Sequence, residues 1–351
     1  MTKSGLPSLT RHAGRIVRFA APLLRIRYPD GMYVNLRGFP DWTPYARALV
    51  EIAGRLPDQP RRSVDEARVV DVLAANQVMA DSADPLWKDA EPGAAATPDG
   101  WVWAHVGAGG ARADRSEGEG PRRLALVPAE AHAAFRHIGH VAGRGAGDGS
   151  RGLTMQPPAE RPSMIPRRTK ATEADVAELE AKLEAGLPAP YRNFLLAGNG
   201  GRPATPLAHP GFGFLVDQSF FGFRRKDWFA NVTNARQWLA DRFAGDFLPI
   251  GHVQGGLLAV RLSPPGPGSV CYYDDDDPAD DESYDAEAVG AHLLRRCADS
   301  FDEFLDALAP VPDGLVAAAQ SMVAGGMAQR VVDRNQGGAL PRDRRPPTSG
   351  Q

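Results

Sequence analysis

W-V-W-A-H at residues 101–105 and L-A-L-V-P-A-E-A-H-A-A-F-R-H-I-G-H at residues 124–140 decide how the first half of this chain is read. Residues 101–106 and 124–127 are short β-prone runs, and the Gly-rich insert between them reads as a loop. Pro128 suits the first position of a helix and Gly139 its end, so residues 128–137 are expected to be helical. The local order is strand, loop, strand, helix: a ββα unit. His105 ends its first strand, and His132, His137 and His140 lie on or just after its helix. His132 and His137 are separated by roughly 140° on an ideal helix, so they meet at one point only where the helix stops between them.

Imidazoles gathered between a hairpin and a helix suit one chemistry in particular. A divalent ion held there takes a phosphate oxygen while a neutral histidine activates water. His105 stands where that base would sit, and His132, His137 and His140 are the candidate metal ligands. The stretch resembles the HNH/endonuclease VII superfamily, in the branch of bacterial polymorphic-toxin nucleases whose signature is W-H-H, then L-V-P-x-x-x-H and a further H-x-G. G-F-P-D-W-T-P-Y-A at residues 38–46, Asp71 with Ala75-Asn76, and T-P-D-G-W-V-W at residues 97–103 extend the resemblance upstream. It implies a ββα-metal (His-Me finger) fold, magnesium or zinc as cofactor, and His105 as general base. The first histidine of the pair is Ala104, so one ligand position is empty and metal binding is expected to be weak. Asp99 or Asp114 could replace that ligand.

At 351 residues the chain exceeds one ordinary core and should form two domains. Residues 1–150 carry 19 basic against 17 acidic side chains and residues 151–351 carry 21 against 26, so the first half better suits phosphate and the second a basic partner. Arg11, Arg15, Arg18, Arg25, Arg27 and Arg37 fit phosphate contacts or a solvated face equally well. Cys271 and Cys297 are too few for a disulfide framework. With no secretory signal and no long apolar run, a cytoplasmic protein without membrane contact is expected.

Several elements can be placed from pattern alone. Thr43 and Pro44 open a helical spacing through Tyr45, Leu49, Ile52 and Leu56, and residues 64–79 form a second helical pattern. Thr172 caps a helix with Val176, Leu179 and Leu183 on one face, and residues 191–197 form another that ends at Asn199-Gly200-Gly201. Runs near 247–252, 257–262 and 269–273 are separated by Gly or Pro turns and read as an antiparallel meander. Ser300 caps a closing helix with Glu303 three residues on.

The run L-P-A-P-Y-R-N-F-L-L-A-G-N-G-G at residues 187–201 contains no nucleophile and is all packing and turning. With F-G-F at 221–223, L-P-I-G at 248–251, V-C-Y-Y at 270–273 and S-F-D-E-F-L at 300–305, it resembles the SUKH superfamily over about residues 172–309. That resemblance implies an α+β binding domain with an antiparallel sheet and no catalytic centre, acting mostly as an immunity protein against nuclease toxins. Nine acidic residues fall between positions 274 and 287, among them Asp274, Asp275, Asp276, Asp277, Asp280 and Asp281. Such a cluster could bind a basic nuclease surface or remain a solvated loop.

The expected organisation is a degenerate nuclease-like domain over 1–143, a linker over 144–170, a SUKH-like domain over 171–312, a C-terminal helix over 313–334 and a disordered tail over 335–351. The expected function is an immunity or antitoxin-type protein of a bacterial toxin system. Its SUKH-like surface would occlude a cognate nuclease toxin domain in cis or in trans. The competing expectation is an active single-metal DNA or RNA endonuclease, with nucleic acid as the partner of residues 1–143.

Overall fold

The computed structural model describes residues 12–36, 38–53, 62–88, 96–106, 121–137, 152–155, 158, 160–224, 226–275, 277, 279–280 and 283–331. The first half is organised by a four-stranded antiparallel sheet in the order Ala328–Val331, Ala48–Ile52, Arg122–Pro128, Trp101–Val106. Register pairs Val50 with Leu124 and Ala104 with Ala125. Side chains alternate between the two faces of the sheet. Trp103, Leu124 and Leu126 point into one core, under the Val64–Asp81 helix and the Asp313–Ala324 helix. Val102, Ala104, Ala125 and Val127 point into the other, which runs without a break into the core of the second half.

The Val64–Asp81 helix starts at a full capping box, Ser63 accepting from the Glu66 N–H while Glu66 accepts from the Ser63 N–H. Nothing of that box is needed to see the helix, which the spacing over 64–79 already predicts. Leu56 lies outside the described residues, and residues 43–53 depart from the sequence expectation. They form a 3₁₀ turn, Thr43–Tyr45, and then the strand Ala48–Ile52. The run A-L-V-E-I fits both periods, and its place between two strands, with Ala48, Val50 and Ile52 buried, favours period two. The helix expected over 128–137 is shorter, Ala129–Ala133, with Pro128 as its cap. The helix expected over 313–334 is not continuous: after Asp313–Ala324 the chain turns, Ala328–Val331 joins the edge of the first-half sheet, and residues 332–334 lie outside the described residues.

In the second half Phe247–Val253, Gly256–Arg261, Val270–Asp274 and Arg295–Ala298 form an antiparallel meander in chain order. The Ala189–Gly198 and Phe301–Ala307 helices close one side through aromatic contacts, with Phe194 and Phe301 ring centres 4.7 Å apart, and the Glu173–Leu183 helix packs beside them through Val176 and Leu179. The whole is mixed α/β with antiparallel sheets. Among the described residues no helix is long and apolar enough to cross a membrane.

Candidate active site

Three of the four candidate histidines come together where the halves meet. His105, His132 and His137 line one small cavity of about 30 Å³. His140 lies outside the described residues. The convergence of His132 and His137, with ring centres 4.8 Å apart, follows from the helix ending at Ala133 rather than continuing to His137. Trp42 packs on both rings, at 4.9 Å and 5.2 Å.

His105 is oriented by a carboxylate. Its Nε2 is 3.2 Å from Asp71 Oδ2, and Arg122 grips the same carboxylate through Nε and Nη2, both at 2.7 Å. Burial alone would raise the Asp71 carboxyl, but the Arg122 guanidinium and the His105 ring hold it below its ordinary value. An ionised carboxylate only accepts, so Nε2 carries the proton and Nδ1 is the basic nitrogen of the ring. Asp71 is the positioning residue that sequence reasoning quoted without a role. Its signal was its place on the Val64–Asp81 helix beside Arg68 and Val72, one turn apart on the face that meets the hairpin.

His137 donates from Nδ1 to the Phe135 carbonyl at 2.8 Å. His132 lies 3.6 Å from Asp275, too far for a hydrogen bond. Burial, then the neighbouring His137, lowers the His132 pKa far below the usual imidazole range, so the ring is neutral. Ala104 sits at the expected third ligand position, buried against the core shared with the second half. Asp99 does not replace it: its carboxylate accepts from the Ser219 N–H and hydroxyl, and it lines a different cavity. Asp114 lies outside the described residues. The cation of Arg68 shares the histidine cavity. Among the described residues no three His, Cys, Asp or Glu side chains converge as a metal would require. The donor set among the described residues does not by itself fit a divalent ion.

The remaining wall of the cavity belongs to the second half: Gln254, Gly255 and Asp275. Gln254 Oε1 accepts from the Trp103 N–H at 3.2 Å, on the edge strand of the first sheet, and its amide donates to Thr97 Oγ1 at 3.0 Å. Asp217 accepts from the Thr97 N–H at 3.1 Å. Burial pushes the Asp217 carboxyl up to about 6 despite these donors.

The described acidic residues do not form one solvated cluster: Asp285 and Glu287 are exposed, and the others turn inward. Asp274, Asp275, Asp277 and Asp280 are all buried, and Asp276 and Asp281 lie outside the described residues. Asp274 lies 3.8 Å from Arg68, Asp280 is bound by Arg136 and Tyr273, and Asp277 is bound by Arg295. Arg136 also donates to the Tyr284 carbonyl at 2.6 Å. The cations these carboxylates meet in the first half, Arg68 and Arg136, flank the histidines. With space for about one or two water molecules, the cavity is smaller than a phosphodiester.

Comparison with known families agrees with the two-part reading. Residues 170–307 match the model of the SMI1 / KNR4 family (SUKH-1), and residues 93–144 match that of a nuclease of the HNH/ENDO VII superfamily with conserved WHH. In the second match Trp103-Ala104-His105 stands where the family has WHH. No curated protein matches the chain. The polypeptide therefore joins a segment similar to WHH nucleases to one similar to SUKH-1 proteins, an arrangement that fits a toxin–immunity pair carried in one chain.

Proposed function

We propose that this protein is an immunity-type component of a bacterial toxin system, in which the SUKH-like segment occludes the histidine site of its own nuclease-like segment. One observation carries the reading: Gln254, Gly255 and Asp275 wall the cavity that holds His105, His132 and His137. A core continuous across the junction makes the cover a permanent part of the fold. The SUKH-like unit of 171–312 is then an insertion into a nuclease-like unit made of 1–143 and the returning residues 313–331. A cognate toxin bound in trans would need a surface other than Asp274, Asp275, Asp277 and Asp280, which are buried within the chain. Cys271 and Cys297 are free thiols, in keeping with a cytoplasmic protein.

A second reading, a single-metal endonuclease, draws support from the Asp71–His105 pair, which is how a general base is oriented. It requires the cover to open and magnesium or zinc to bind through His132, His137 and His140 without a ligand at Ala104. One experiment separates the two. The full chain is incubated with plasmid and with RNA in magnesium, manganese or zinc, beside His105→Ala. Occlusion predicts no cleavage by either protein. Cleavage by the unaltered chain that disappears in His105→Ala would replace the first reading with the second.

A further inference from the structure

A much larger cavity than that of the histidines lies elsewhere and is built by the motif that carries no chemistry of its own. Asn199, at φ 48°, accepts from the Phe223 N–H at 2.7 Å and donates to the Thr169 carbonyl at 2.8 Å, tying two distant segments together. Gly201 and Gly222 let those segments close in. A Cβ on Gly201 would lie 2.4 Å from the Ile165 carbonyl oxygen, and one on Gly222 would lie 2.1 Å from that of Asn199. The result is a cavity of about 980 Å³ with Arg167 and Arg224 in its wall.

Its charge is unbalanced. Among the described residues seven cationic side chains line it against four carboxylates. Lys182 and Glu178 neutralise each other at 2.7 Å, and Arg224 reaches Asp227 at 3.0 Å. Asp99 is shared at long range, 3.8 Å from Arg167 and 3.6 Å from Arg224. Arg167 donates to the Phe220 carbonyl at 2.9 Å, yet its buried Nε has no hydrogen-bond partner. Burial, and then the facing Arg224, pulls the Arg167 pKa down to about 10. Two guanidiniums thus face each other in a polar cavity lined by an excess of cations, sharing Asp99 only at long range and with the Arg167 Nε left unpartnered, which is the arrangement that recognises phosphate oxygens. The volume is at the upper end of what small-molecule sites use, far more than one phosphate occupies.

We propose that this cavity binds a phosphate-bearing small molecule of nucleotide size, its phosphates between Arg167 and Arg224. The site is separate from the histidine cavity, and the proposal stands whether or not the occlusion reading holds.

The test is calorimetric titration of the full chain, at constant ionic strength, with inorganic pyrophosphate, with adenosine triphosphate and with a single-stranded oligonucleotide. Saturable binding of one pyrophosphate or one triphosphate per chain is expected, weakened at least about tenfold by Arg224→Gln and by Arg167→Gln, since a charge-assisted hydrogen bond is worth about that factor. Tighter binding of the triphosphate would identify a nucleotide as the source of the phosphates, whereas equal binding would identify a polyphosphate. Unfolding temperatures of the ligand-free variants establish that they are folded. Should Arg167→Gln fail to fold, Arg224→Gln at the partly exposed rim decides. The proposal is overturned by no saturable binding of either small molecule, by binding that both substitutions leave unchanged, or by binding of the oligonucleotide alone.

Discussion

Two polar cavities, one at the histidines and one beside Asn199, differ in a way that inverts their sequence signals. The histidine cavity carries the motif of a reaction centre, and it is closed: about 30 Å³, its carboxylates engaged and His132 held neutral by burial. The cavity beside Asn199 carries only packing residues in its motif, and at about 980 Å³ it has cations in excess. Completed polar networks stabilise a fold, whereas groups left short of partners are usually reserved for something that binds. On that logic the roles proposed are structure for the first cavity and ligand binding for the second.

The comparison breaks most visibly at Asp71. Asp71→Ala leaves Arg122 buried without its carboxylate and should cost about 3 kcal/mol in stability, read by denaturant unfolding. A loss under about 0.5 kcal/mol would mean that the histidine cavity is not structural. Acidity tests the same junction. His252 is pushed down to about 3 by burial and by Arg242, so its folded value lies below the unfolded 6.5. Its contribution is therefore complete above pH 6.5 and is lost as pH falls toward 3, and His132 acts in the same direction. Asp217 opposes them: folded at about 6 against 3.8 unfolded, it gains stability as pH falls through that window. His252, His132 and His209, all lowered by burial, oppose Asp217 and the raised Glu130, and a net loss of stability by pH 5 is expected. A stability that rises between pH 7 and pH 5 would contradict the sign.

How much of this was legible in the sequence depended on the range of the interaction involved. The 101–106 and 122–128 hairpin, the Thr172 cap and the 247–274 meander rest on neighbours in sequence, and pattern finds them. The Ala48–Ile52 strand was missed because its run fits both periods until partners on either side are known. Ala328–Val331 could not be seen at all, since the residues it completes lie almost the whole chain away. The same holds at the site. His105 and His132 were visible in their motif, whereas Gln254, 151 positions from the Trp103 N–H it satisfies, has no local signal. The acidic segment announced the charge of its partner but not that Arg68 and Arg136 of the same chain would supply it.

A smaller effect sharpens the contrast. Ala104→His restores the missing ligand type in a buried position facing the shared core, and overpacking there should cost about 1–2 kcal/mol. No nicking of plasmid is expected from this variant with magnesium, manganese or zinc, because the wall made by Gln254 and Asp275 remains. Nicking by Ala104→His that depends on His105 would show that the missing ligand, and not the cover, is what silences the site.

The smallest effect is the most discriminating, because its sign differs between the cavities. Burial and the facing Arg224 disfavour the charged form of Arg167, so the folded protein bears a cost for holding that cation at neutral pH. Glutamine in its place keeps a donor for the Phe220 carbonyl and removes the charge. Arg167→Gln should therefore leave unfolding free energy unchanged or raise it by up to about 1 kcal/mol, as is common where stability has been given up for binding. Thermal unfolding with and without pyrophosphate checks both halves of the argument: the unliganded variant should melt no lower than the parent, and the ligand-induced rise should shrink. A variant that melts several degrees lower without ligand would place Arg167 with Asp71, among the groups whose charge is already satisfied by the fold.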